Sequence, residues 1–581
     1  MNSQTKLFQT GNFNFKLNHL VIIGVLILAF STSFLLRSQN TEFGFELNEF
    51  DPFFNFRATE YIVENGFLEY FEWNDDKSWF PHGRDVSATS QVMLHATAAI
   101  TYQIFGGNSS LYDFTILFPA IIGSLTVVVI FLLVRLFAGT TAGLFASLLF
   151  AISLPIIIRG SLGWFKSEPL GIFYGLLGLY LFLSAITSNN KKIIFTKIIF
   201  GGIILSFGMA SWGGNQFFII PLGLFILVLP FFKKEHKILL WSIPLFITIF
   251  LLVSSMFERP GPSFVYGLGG LSLIIPTIFL ISSIFIQKIS KNEKKLKNSL
   301  VLLISIIIIG SFLLILNTES NTLPLPTFRY LNAINPFLTT IDPLTDSVAE
   351  HATTTIAQSF FFHSILMIFS GIGVWLILSK KSSESNIIIK NEMKVFILII
   401  GITGVYVSSA FVRLEVFASI SLIILTSIGI SILAREIFKI KLSGKRSYLL
   451  KTSFVAITLI LFIIPLTFPE ANWISSANFP ATILNGGTFH PAGNDWLETL
   501  EWIKINTPEN SVVAAWWDYG YWIQTLAERA SLADNSTVNA LIIQNIAKML
   551  LSSPDDSWNM LKEMNADYVL VFVAGQKIGP G

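Results

Sequence analysis

The chain contains no cysteine among its 581 residues, and only 13% of its residues are charged. The absence of thiols excludes disulfide bonds, thiolate metal sites and cysteine nucleophiles. The charged fraction lies far below the roughly 25% of an ordinary soluble domain. Because 52% of the residues are hydrophobic and the mean hydropathy is +0.66, the composition predicts an integral membrane protein.

Excess basic charge is also missing, since the net charge is only +2 and the pI is about 8.4. A nucleic-acid-binding face normally gives a pI above about 9, so we expect no nucleic-acid partner. The sequence has no internal repeat, low-complexity tract or Gly-rich phosphate loop.

Apolar runs are abundant, and about thirteen approach the 17 to 25 residues that cross a bilayer. The first is not followed by a clear cleavage site, so we expect a retained anchor. Two of the runs, at 198 and 395, are short for a full crossing. The predicted spans lie near residues 19–36, 114–134, 140–158, 169–187, 198–211, 217–232, 238–256, 264–287, 299–316, 359–379, 395–408, 414–434 and 452–468.

Lysine and arginine concentrate in alternate loops, which are the cytoplasmic ones if the N-terminus lies inside. An odd number of spans then places everything after about residue 469 outside the cell or in a lumen. We therefore predict a membrane domain, 1–468, with outer loops 37–113, 159–168 and 317–358. The remaining residues, 469–581, form an extracytoplasmic domain.

The predicted outer domain has an α/β pattern. It contains, in order, a helix "DWLETLEWIKINTPEN", a strand "SVVAAW", a helix "YWIQTLAE", a helix "ALIIQNIAKMLL" and a strand "DYVLVFV". Carboxylates collect in the outer loops, in "ELNEFDPFFNFRATEYIVENG", "DDKSWFPHGRD", "RGSLGWFKSEP" and "DSVAEHATTT". Transporters instead carry charged or broken segments at mid-span, and most spans here are uniformly apolar.

These motifs occur in the order seen in the catalytic subunit of oligosaccharyltransferase, which the whole chain resembles. The resemblance rests on "EFD" followed by "PFFNFRAT", on "SWFPHGR", on "GWFKSE", on "SVAE", on an arginine at the start of a late span, and on "WWDYG" at 516–520. It implies a GT-C type helical membrane domain followed by the α/β domain. The lack of cysteine and the richness in Ile, Lys and Asn suit an archaeal member.

The resemblance implies a glycosyltransferase that moves a glycan from a lipid (dolichyl) phosphate or diphosphate to the Asn amide of Asn-X-Ser/Thr. Its partners are then a lipid-linked oligosaccharide, an acceptor polypeptide and membrane lipids, and a single-subunit enzyme is one alternative. The implied cofactor is Mn²⁺ or Mg²⁺, which prefer oxygen ligands. The implied location is the cell membrane, or the endoplasmic reticulum with a lumenal site in a eukaryote.

Particular residues match the positions that carry this chemistry. Asp51 resembles the carboxylate that binds the metal and contacts the acceptor amide, with Glu49 as its weaker companion. Glu168 matches a metal ligand, and Glu350 matches the mobile-loop glutamate that contacts the acceptor amide. Arg413 falls where the family places a cation against the carrier phosphate. The residues that match the grip on the acceptor Ser/Thr are Trp516, Trp517, Asp518, Tyr519 and Gly520.

The chain departs from the family pattern at two places. Lys166 stands where an aspartate usually begins the second acidic motif, which removes a metal ligand and adds a like charge near the metal. The sequence also stops where the family continues into a further acceptor-recognition helix, so we expect a truncated C-terminal domain. His351 and His82 fit structural or interfacial roles better than metal binding, because carboxylates already supply a hard-metal site.

Other interpretations stay open from the residues alone. Asp51 is also a candidate helix cap before Pro52, and Arg413 is a candidate for snorkelling to the membrane interface. Tryptophan and tyrosine gather at such interfaces anyway. The main alternative function is another lipid-phosphate-dependent glycosyltransferase, such as a protein O-mannosyltransferase, although WWDYG has no clear purpose there.

Overall fold

A computed structural model describes residues 6–10, 13–233, 236–320, 335, 348–379, 389–440, 445–468, 472–484 and 493–573. Helices make up most of this part of the chain. The α-helices are α1 (Leu17–Arg37), α2 (Asp51–Asn65), α3 (Val86–Thr89), α4 (Val92–Phe105), α5 (Leu111–Ala138), α6 (Thr140–Ile152), α7 (Leu154–Ile158), α8 (Ser167–Ile186), α9 (Lys191–Ser211), α10 (Gln216–Phe232), α11 (His236–Ser255), α12 (Ser263–Tyr266), α13 (Leu268–Ile289), α14 (Lys295–Ser320), α15 (Ile356–His363), α16 (Ile365–Leu378), α17 (Asn391–Ser408), α18 (Glu415–Lys439), α19 (Lys445–Thr467), α20 (Trp473–Ser476), α21 (Asp495–Asn506), α22 (Gly520–Thr525), α23 (Ala540–Leu551) and α24 (Pro554–Glu563).

Short strands form three small sheets. The strands are β1 (Lys6–Thr10), β2 (Phe13–Lys16), β3 (Asn74–Asp75), β4 (Arg84–Asp85), β5 (Val512–Ala515), β6 (Ala530–Ser531) and β7 (Tyr568–Leu570). The first two pairs are antiparallel hairpins, whereas the last three strands form a parallel sheet in the order β6-β5-β7. Because β5 is central and fully buried, its sequence VVAA is apolar on both faces.

Among the described residues, eleven helices are long and apolar enough to cross a membrane, or twelve if one bent pair counts as a single span. The multi-span prediction is therefore confirmed, and the count in the described part of the chain is close to the predicted number of about thirteen. The two runs judged short are full-length, because helices α9 and α17 begin several residues earlier, in stretches that contain lysine. Long lysine side chains can extend from a helix end to the interface, so they do not end the helix.

Two predicted spans are broken. The run 140–158 splits into α6 and α7 at Ser153, two residues before Pro155, and neither piece is long enough to cross alone. A proline removes a helical donor and restricts the residue before it, which favours a break here. The run 359–379 is the bent pair α15 and α16, which turn by 84° at Ser364. The φ of Ser364 is +43°, outside the right-handed helical region.

The described tail follows the predicted order with three additions, the first of which is the four-residue helix α20. Helices α21, α22 and α23 and strands β5 and β7 match the predicted elements. Helix α24 and the two-residue strand β6 were not predicted. Strand β6 has too few residues to show an alternating pattern, so only its pairing with β5 identifies it.

The chain divides into two compact units that interleave along the sequence. The helical unit contains Met1–Leu36, Ile122–Arg159 and Leu170–Ser476, and the mixed α/β unit contains Arg37–Ile121, Gly160–Pro169 and Ala477–Gly581. The prediction divided the chain at residue 468, whereas these units group two predicted outer loops with the tail. Which unit faces which side of a membrane stays a prediction.

The core of the helical unit surrounds α18. In the span Val412–Lys439 that contains this helix, 94% of the apolar window is buried, against 6% for the spans that contain α14 and α19. A helix that is apolar all round and buried all round is a core helix, while the exposed apolar helices present surface that lipid would cover.

Candidate active site

The candidate site in the mixed unit begins with Glu49 and Asp51, here called the carboxylate pair. Asp51 is the first residue of α2, and Phe50 occupies the cap position without a side-chain cap bond. The interpretation of Asp51 as a helix cap is therefore wrong. Its carboxylate lies in the first helical turn, where the helix dipole favours negative charge.

The backbone of Glu49 has an unusual conformation. Its φ is +68°, a region that non-glycine residues rarely adopt. Trp522 in α22 donates its indole N–H to the Glu49 carbonyl at 3.0 Å. Such outliers concentrate at functional sites and persist where neighbouring contacts hold them. The tail helix thus fixes the direction in which the carboxylate pair points.

Lys166 lies between the two carboxylates. Its Nζ is 3.1 Å from Glu49 Oε2 and 3.1 Å from Asp51 Oδ2. The lysine side chain is only 11% exposed, and its ammonium lies 5.0 Å from the centre of the Trp164 ring. The sequence predicted that Lys166 adds a positive charge near the metal. In the structure its ammonium directly contacts Asp51, a predicted metal ligand, as well as Glu49.

Glu168 follows two residues later in the first turn of α8 and is 3% exposed. Within the described part of the chain, no group of three or more His, Cys, Asp or Glu side chains is gathered closely enough to hold a metal ion. The donor atoms have the right chemistry for a hard divalent cation, because they are carboxylate oxygens. Lys166, however, places an ammonium group beside the oxygens of Glu49 and Asp51.

The WWDYG sequence links β5 to α22. Trp517–Tyr519 form a single 3₁₀ turn, and Trp517 is buried whereas Trp516 and Asp518 are half-buried. The pKa of Asp518 is raised to about 6, mainly by burial and also by the charges of Asp51 and Glu49, while a hydrogen bond from Trp516 opposes the rise. Asp518 is therefore electrostatically coupled to the carboxylate pair.

The last two residues of WWDYG pack rather than point into open space. Tyr519 lies against Trp496, with ring centres 4.5 Å apart, and also contacts Phe50 at 6.1 Å. A Cβ on Gly520 would lie 2.2 Å from the Ala533 carbonyl oxygen, closer than any real contact. Tyr519 and Gly520 therefore hold the turn in place. Position 520 requires glycine, because the backbone near Ala533 leaves no room for a Cβ.

A buried polar cluster explains the "SWFPHGR" motif. Asp534 is fully buried and accepts hydrogen bonds from Ser78, from Trp79 Nε1 at 2.9 Å and from Gln524 Nε2 at 3.0 Å. Burial would raise the pKa of Asp534, but the charge of Arg84 and these hydrogen bonds lower it. The cluster fastens the first outer loop to the tail within the mixed unit.

The helical unit carries the other predicted residues. Glu350 accepts a 2.5 Å hydrogen bond from Arg159, and Arg413 donates to His351 Nε2 at 3.1 Å. The Val412 N–H also bonds to the Ala352 carbonyl at 3.0 Å. The segment that carries Glu350 and His351 is thus joined to the segment that carries Arg413.

Most of the loop 317–358 lies outside the described residues, including most of "TFRYLNAINP" and the start of "DSVAE". Glu350 and His351 are described, as part of a 3₁₀ turn at Ala349–His351. The sequence interpretation missed Arg159 and Trp522 as partners of candidate site residues. Arg159 begins the "RGSLGWFKSEP" motif, and nothing in that motif indicates a partner in the segment that carries Glu350.

Two family models match the chain. "Oligosaccharyl transferase STT3, N-terminal" matches residues 20–468, and "STT3/PglB/AglB core domain" matches residues 509–571. The STT3 subunit of dolichyl-diphosphooligosaccharide–protein glycosyltransferase from Dictyostelium discoideum is 26% identical over 590 residues, covering 97% of this chain and 79% of the relative. The corresponding subunit from Saccharomyces cerevisiae is 27% identical over 562 residues, covering 91% and 74%.

Solved structures share the fold. Archaeal oligosaccharyltransferase AglB from Archaeoglobus fulgidus, in complex with an inhibitory peptide and a dolichol-phosphate, matches with a TM-score of 0.73 at 17% identity, over 95% of this chain and 69% of that one. The Archaeoglobus fulgidus enzyme in complex with Zn and sulfate matches with a TM-score of 0.69 at 17% identity, over 94% and 67%.

The first family model covers most of the chain, and the second covers the region of WWDYG. The relatives are dolichyl-diphosphooligosaccharide–protein glycosyltransferase subunits that match over nearly the whole chain. The many apolar helices agree with a multi-span membrane enzyme. The chain therefore belongs to the STT3 family of oligosaccharyltransferase catalytic subunits, glycosyltransferases that transfer a lipid-linked oligosaccharide to protein.

Proposed function

We propose that this chain transfers the glycan from a dolichyl phosphate or diphosphate to the side-chain amide of Asn in Asn-X-Ser/Thr. One observation carries the proposal: within the mixed unit, Phe50 of the carboxylate-pair segment packs against Tyr519 of WWDYG, with ring centres 6.1 Å apart. A reaction at an Asn amide needs acidic groups at the nitrogen. Recognition of the hydroxyl two residues later needs a separate acceptor nearby.

In this reaction the bond between the anomeric carbon and the carrier phosphate oxygen breaks, and a bond to the amide nitrogen forms. The amide nitrogen gives up one proton, which a site carboxylate accepts, and the carrier phosphate leaves with the electron pair of the broken bond. Asp51, in the mixed unit, and Glu350, in the helical unit, are the proposed catalytic residues, because each is a carboxylate that can accept a hydrogen bond from an amide N–H group. Such hydrogen bonds would hold the weak nucleophile in place for the reaction.

A divalent ion, Mn²⁺ or Mg²⁺, would be held by the carboxylate oxygens of Asp51 and Glu168, which are the kind of donor that these ions prefer. The ion would supply positive charge against the departing phosphate. The complex of an archaeal relative with Zn and sulfate supports a divalent cation in this fold. The helix dipole at the start of α2 and Lys166 already compensate part of the negative charge of the carboxylate pair.

Arg413 is the proposed contact for the carrier phosphate. It is half-buried just before α18, and His351 accepts one of its N–H groups. Within the part of the chain that the structure describes, no other hydrogen bond uses the guanidinium fork, which can therefore donate to phosphate oxygens. The archaeal relative solved with dolichol-phosphate supports a phosphate site in this fold. A snorkelling role alone would not need the bond to His351.

Trp516, Trp517 and Asp518 are the proposed grip on the acceptor Ser/Thr hydroxyl. Asp518 is ionised above about pH 6 and then accepts a hydrogen bond. The ring of Trp517 is buried in the turn and that of Trp516 is half-buried, and together they are proposed to shape the apolar wall around this hydroxyl. Tyr519 and Gly520 shape the turn that presents these groups.

The proposed setting is a multi-pass protein of the cell membrane, with the mixed unit and the site outside the cytoplasm. The lysine and arginine pattern of the loops supports this orientation. In a eukaryotic cell the same orientation places the site in the lumen of the endoplasmic reticulum. Donor and acceptor are then a lipid-linked oligosaccharide and an unfolded polypeptide segment that contains the sequon.

The test mixes purified protein, lipid-linked glycan and an Asn-X-Thr peptide, and then locates the sugar by mass spectrometry. We expect glycan on Asn, no product with a Gln-X-Thr peptide, loss of product in chelator and recovery with added Mn²⁺ or Mg²⁺. Sugar on the Thr hydroxyl would instead support a protein O-mannosyltransferase. Full activity in excess chelator would contradict the metal site.

A further inference from the structure

Lys166 makes a close double contact with the carboxylate pair. The same ammonium is 3.1 Å from Glu49 Oε2 and 3.1 Å from Asp51 Oδ2. The lysine side chain is 11% exposed, whereas the side chains of Glu49 and Asp51 are 29% and 43% exposed. A shielded ammonium that bridges two carboxylates interacts with them more strongly than a solvated surface lysine would, because solvent screens the charges less.

The backbone of the Lys166 loop is fastened to the segment that precedes Glu49. The Asn48 N–H donates to the Gly163 carbonyl at 2.9 Å. Gly163 has a φ of +75°, and a Cβ there would lie 2.2 Å from the Glu46 carbonyl oxygen. Only glycine allows this approach, so the two segments are held together whether or not Lys166 forms its ion pairs.

The ring of Trp164 supports the lysine from another side. The ammonium lies 5.0 Å from the ring centre, within the range of a cation–π contact. The Lys166 N–H also bonds to the Trp164 carbonyl at 2.7 Å, which tightens the turn between the two residues. The position of the Lys166 side chain therefore depends on its packing against Trp164 as well as on its ion pairs.

We propose that Lys166 is the resident counter-ion of the carboxylate pair and must leave Asp51 before a divalent cation binds there. The proposal rests on the metal site proposed above, in which Asp51 is a ligand. An ammonium and a metal ion need the same carboxylate lone pairs, and two cations at one oxygen repel each other. Binding of the Lys166 ammonium to Asp51 therefore excludes binding of a metal ion there, and the reverse also holds.

This competition weakens metal binding by a predictable factor. The metal binds only the fraction of molecules in which the ammonium has moved away, so its apparent dissociation constant rises by the inverse of that fraction. For one shielded ion pair we expect a factor of about ten, which corresponds to about 1.4 kcal/mol. Members of the family with an aspartate at this position would not carry this penalty.

The first experiment measures Mn²⁺ binding to the purified full chain, from the electron paramagnetic resonance signal of free Mn²⁺. Lys166→Met keeps the aliphatic stem beside Trp164 but removes the charge, and it should bind Mn²⁺ about tenfold more tightly. Lys504→Met is the matched control, because it removes the same charge from the same unit but from an ion pair with Glu528. The control should leave the affinity unchanged.

The second experiment uses the unaltered protein, so it does not depend on the folding of a variant. An amine-reactive reagent is applied with and without Mn²⁺, and the labelled lysines are located by peptide mass spectrometry. Displacement from the carboxylate pair should expose Lys166 and raise its labelling several-fold in Mn²⁺. Labelling of Lys504 should stay constant.

The outcomes separate this proposal from the metal site itself. Equal or weaker Mn²⁺ affinity in Lys166→Met, or Mn²⁺-independent labelling of Lys166, overturns the counter-ion proposal while the metal site stands. If no form of the protein binds Mn²⁺, or if Asp51→Asn binds it as well as the unaltered protein, the metal site fails and the counter-ion proposal fails with it.

Discussion

The ionisation of Asp518 makes acceptor binding depend on pH. Burial and the charges of Glu49 and Asp51 raise its pKa to about 6, against a reference value of 3.8. The ionised carboxylate is the form that accepts a hydrogen bond from the acceptor hydroxyl most strongly. Affinity for an Asn-X-Thr peptide should therefore be full above the pKa and be lost as the pH falls through it.

The size of the effect follows from the titration. With a pKa of about 6, the ionised fraction of Asp518 falls from about 90% near pH 7 to about 10% near pH 5. If only the ionised form binds, peptide affinity falls about tenfold over this range, which corresponds to about 1.4 kcal/mol. The reference pKa of an aspartate would place the same loss near pH 4, so the midpoint itself tests the structure.

The assay is titration of a fluorescent Asn-X-Thr peptide into purified protein without added metal, at several pH values. Asp518→Asn cannot ionise and should bind weakly with no inflection near pH 6. Asp555→Asn removes an exposed aspartate from α24 and should behave like the unaltered protein. Saturating Mn²⁺ should move the inflection to lower pH, because a cation offsets the charges that raise the pKa.

Two results would refute this reasoning. An inflection near pH 6 that persists in Asp518→Asn would assign the titration to another group. A second check replaces Thr by Val in the peptide, in a double-mutant comparison with Asp518→Ala. Strictly additive losses would mean that Asp518 shapes the turn without contacting the hydroxyl.

Three further predictions concern other parts of the site. Glu350→Gln keeps the side-chain shape but removes the charge paired with Arg159, and it should lower turnover more than peptide affinity; equal losses would indicate a binding role. Gly520→Ala forces a Cβ to within 2.2 Å of the Ala533 carbonyl oxygen, so it should weaken peptide binding and leave lipid-donor binding intact, both measured directly. Asp534→Asn removes a buried charge from its hydrogen-bonded cluster and should cost about 3 kcal/mol of stability, seen as a lower melting temperature; an unchanged melting temperature would contradict the role of the cluster.

Much of the helical unit could be predicted from the sequence, because a bilayer sets the length and polarity of each crossing helix. The errors came from local backbone conformation. The break at Ser153 is visible as a proline two residues later, but the 84° turn at Ser364 has no such signal. A non-glycine residue at positive φ depends on contacts that a linear sequence does not display.

The candidate site residues were predicted from sequence motifs and not from hydrophobic run length. Asp51, Glu350 and Asp518 belong to short motifs whose order along the chain identified the family, and the family match is confirmed. Their roles in the reaction stay proposals. The pairing of Glu350 with Arg159 joins residues 191 positions apart, so no local pattern in the sequence could reveal it.

The sequence by itself determined the membrane class, most of the spanning helices and the family, because these depend on composition, hydrophobic run length and contiguous motifs. The tertiary structure alone decided what Lys166 does. Its contact with Glu49 spans 117 positions and requires the close approach at Gly163, which brings two distant loops together. Such contacts arise from the folded path of the chain, and a cation that looked like a substitution in a metal site becomes the partner of two carboxylates.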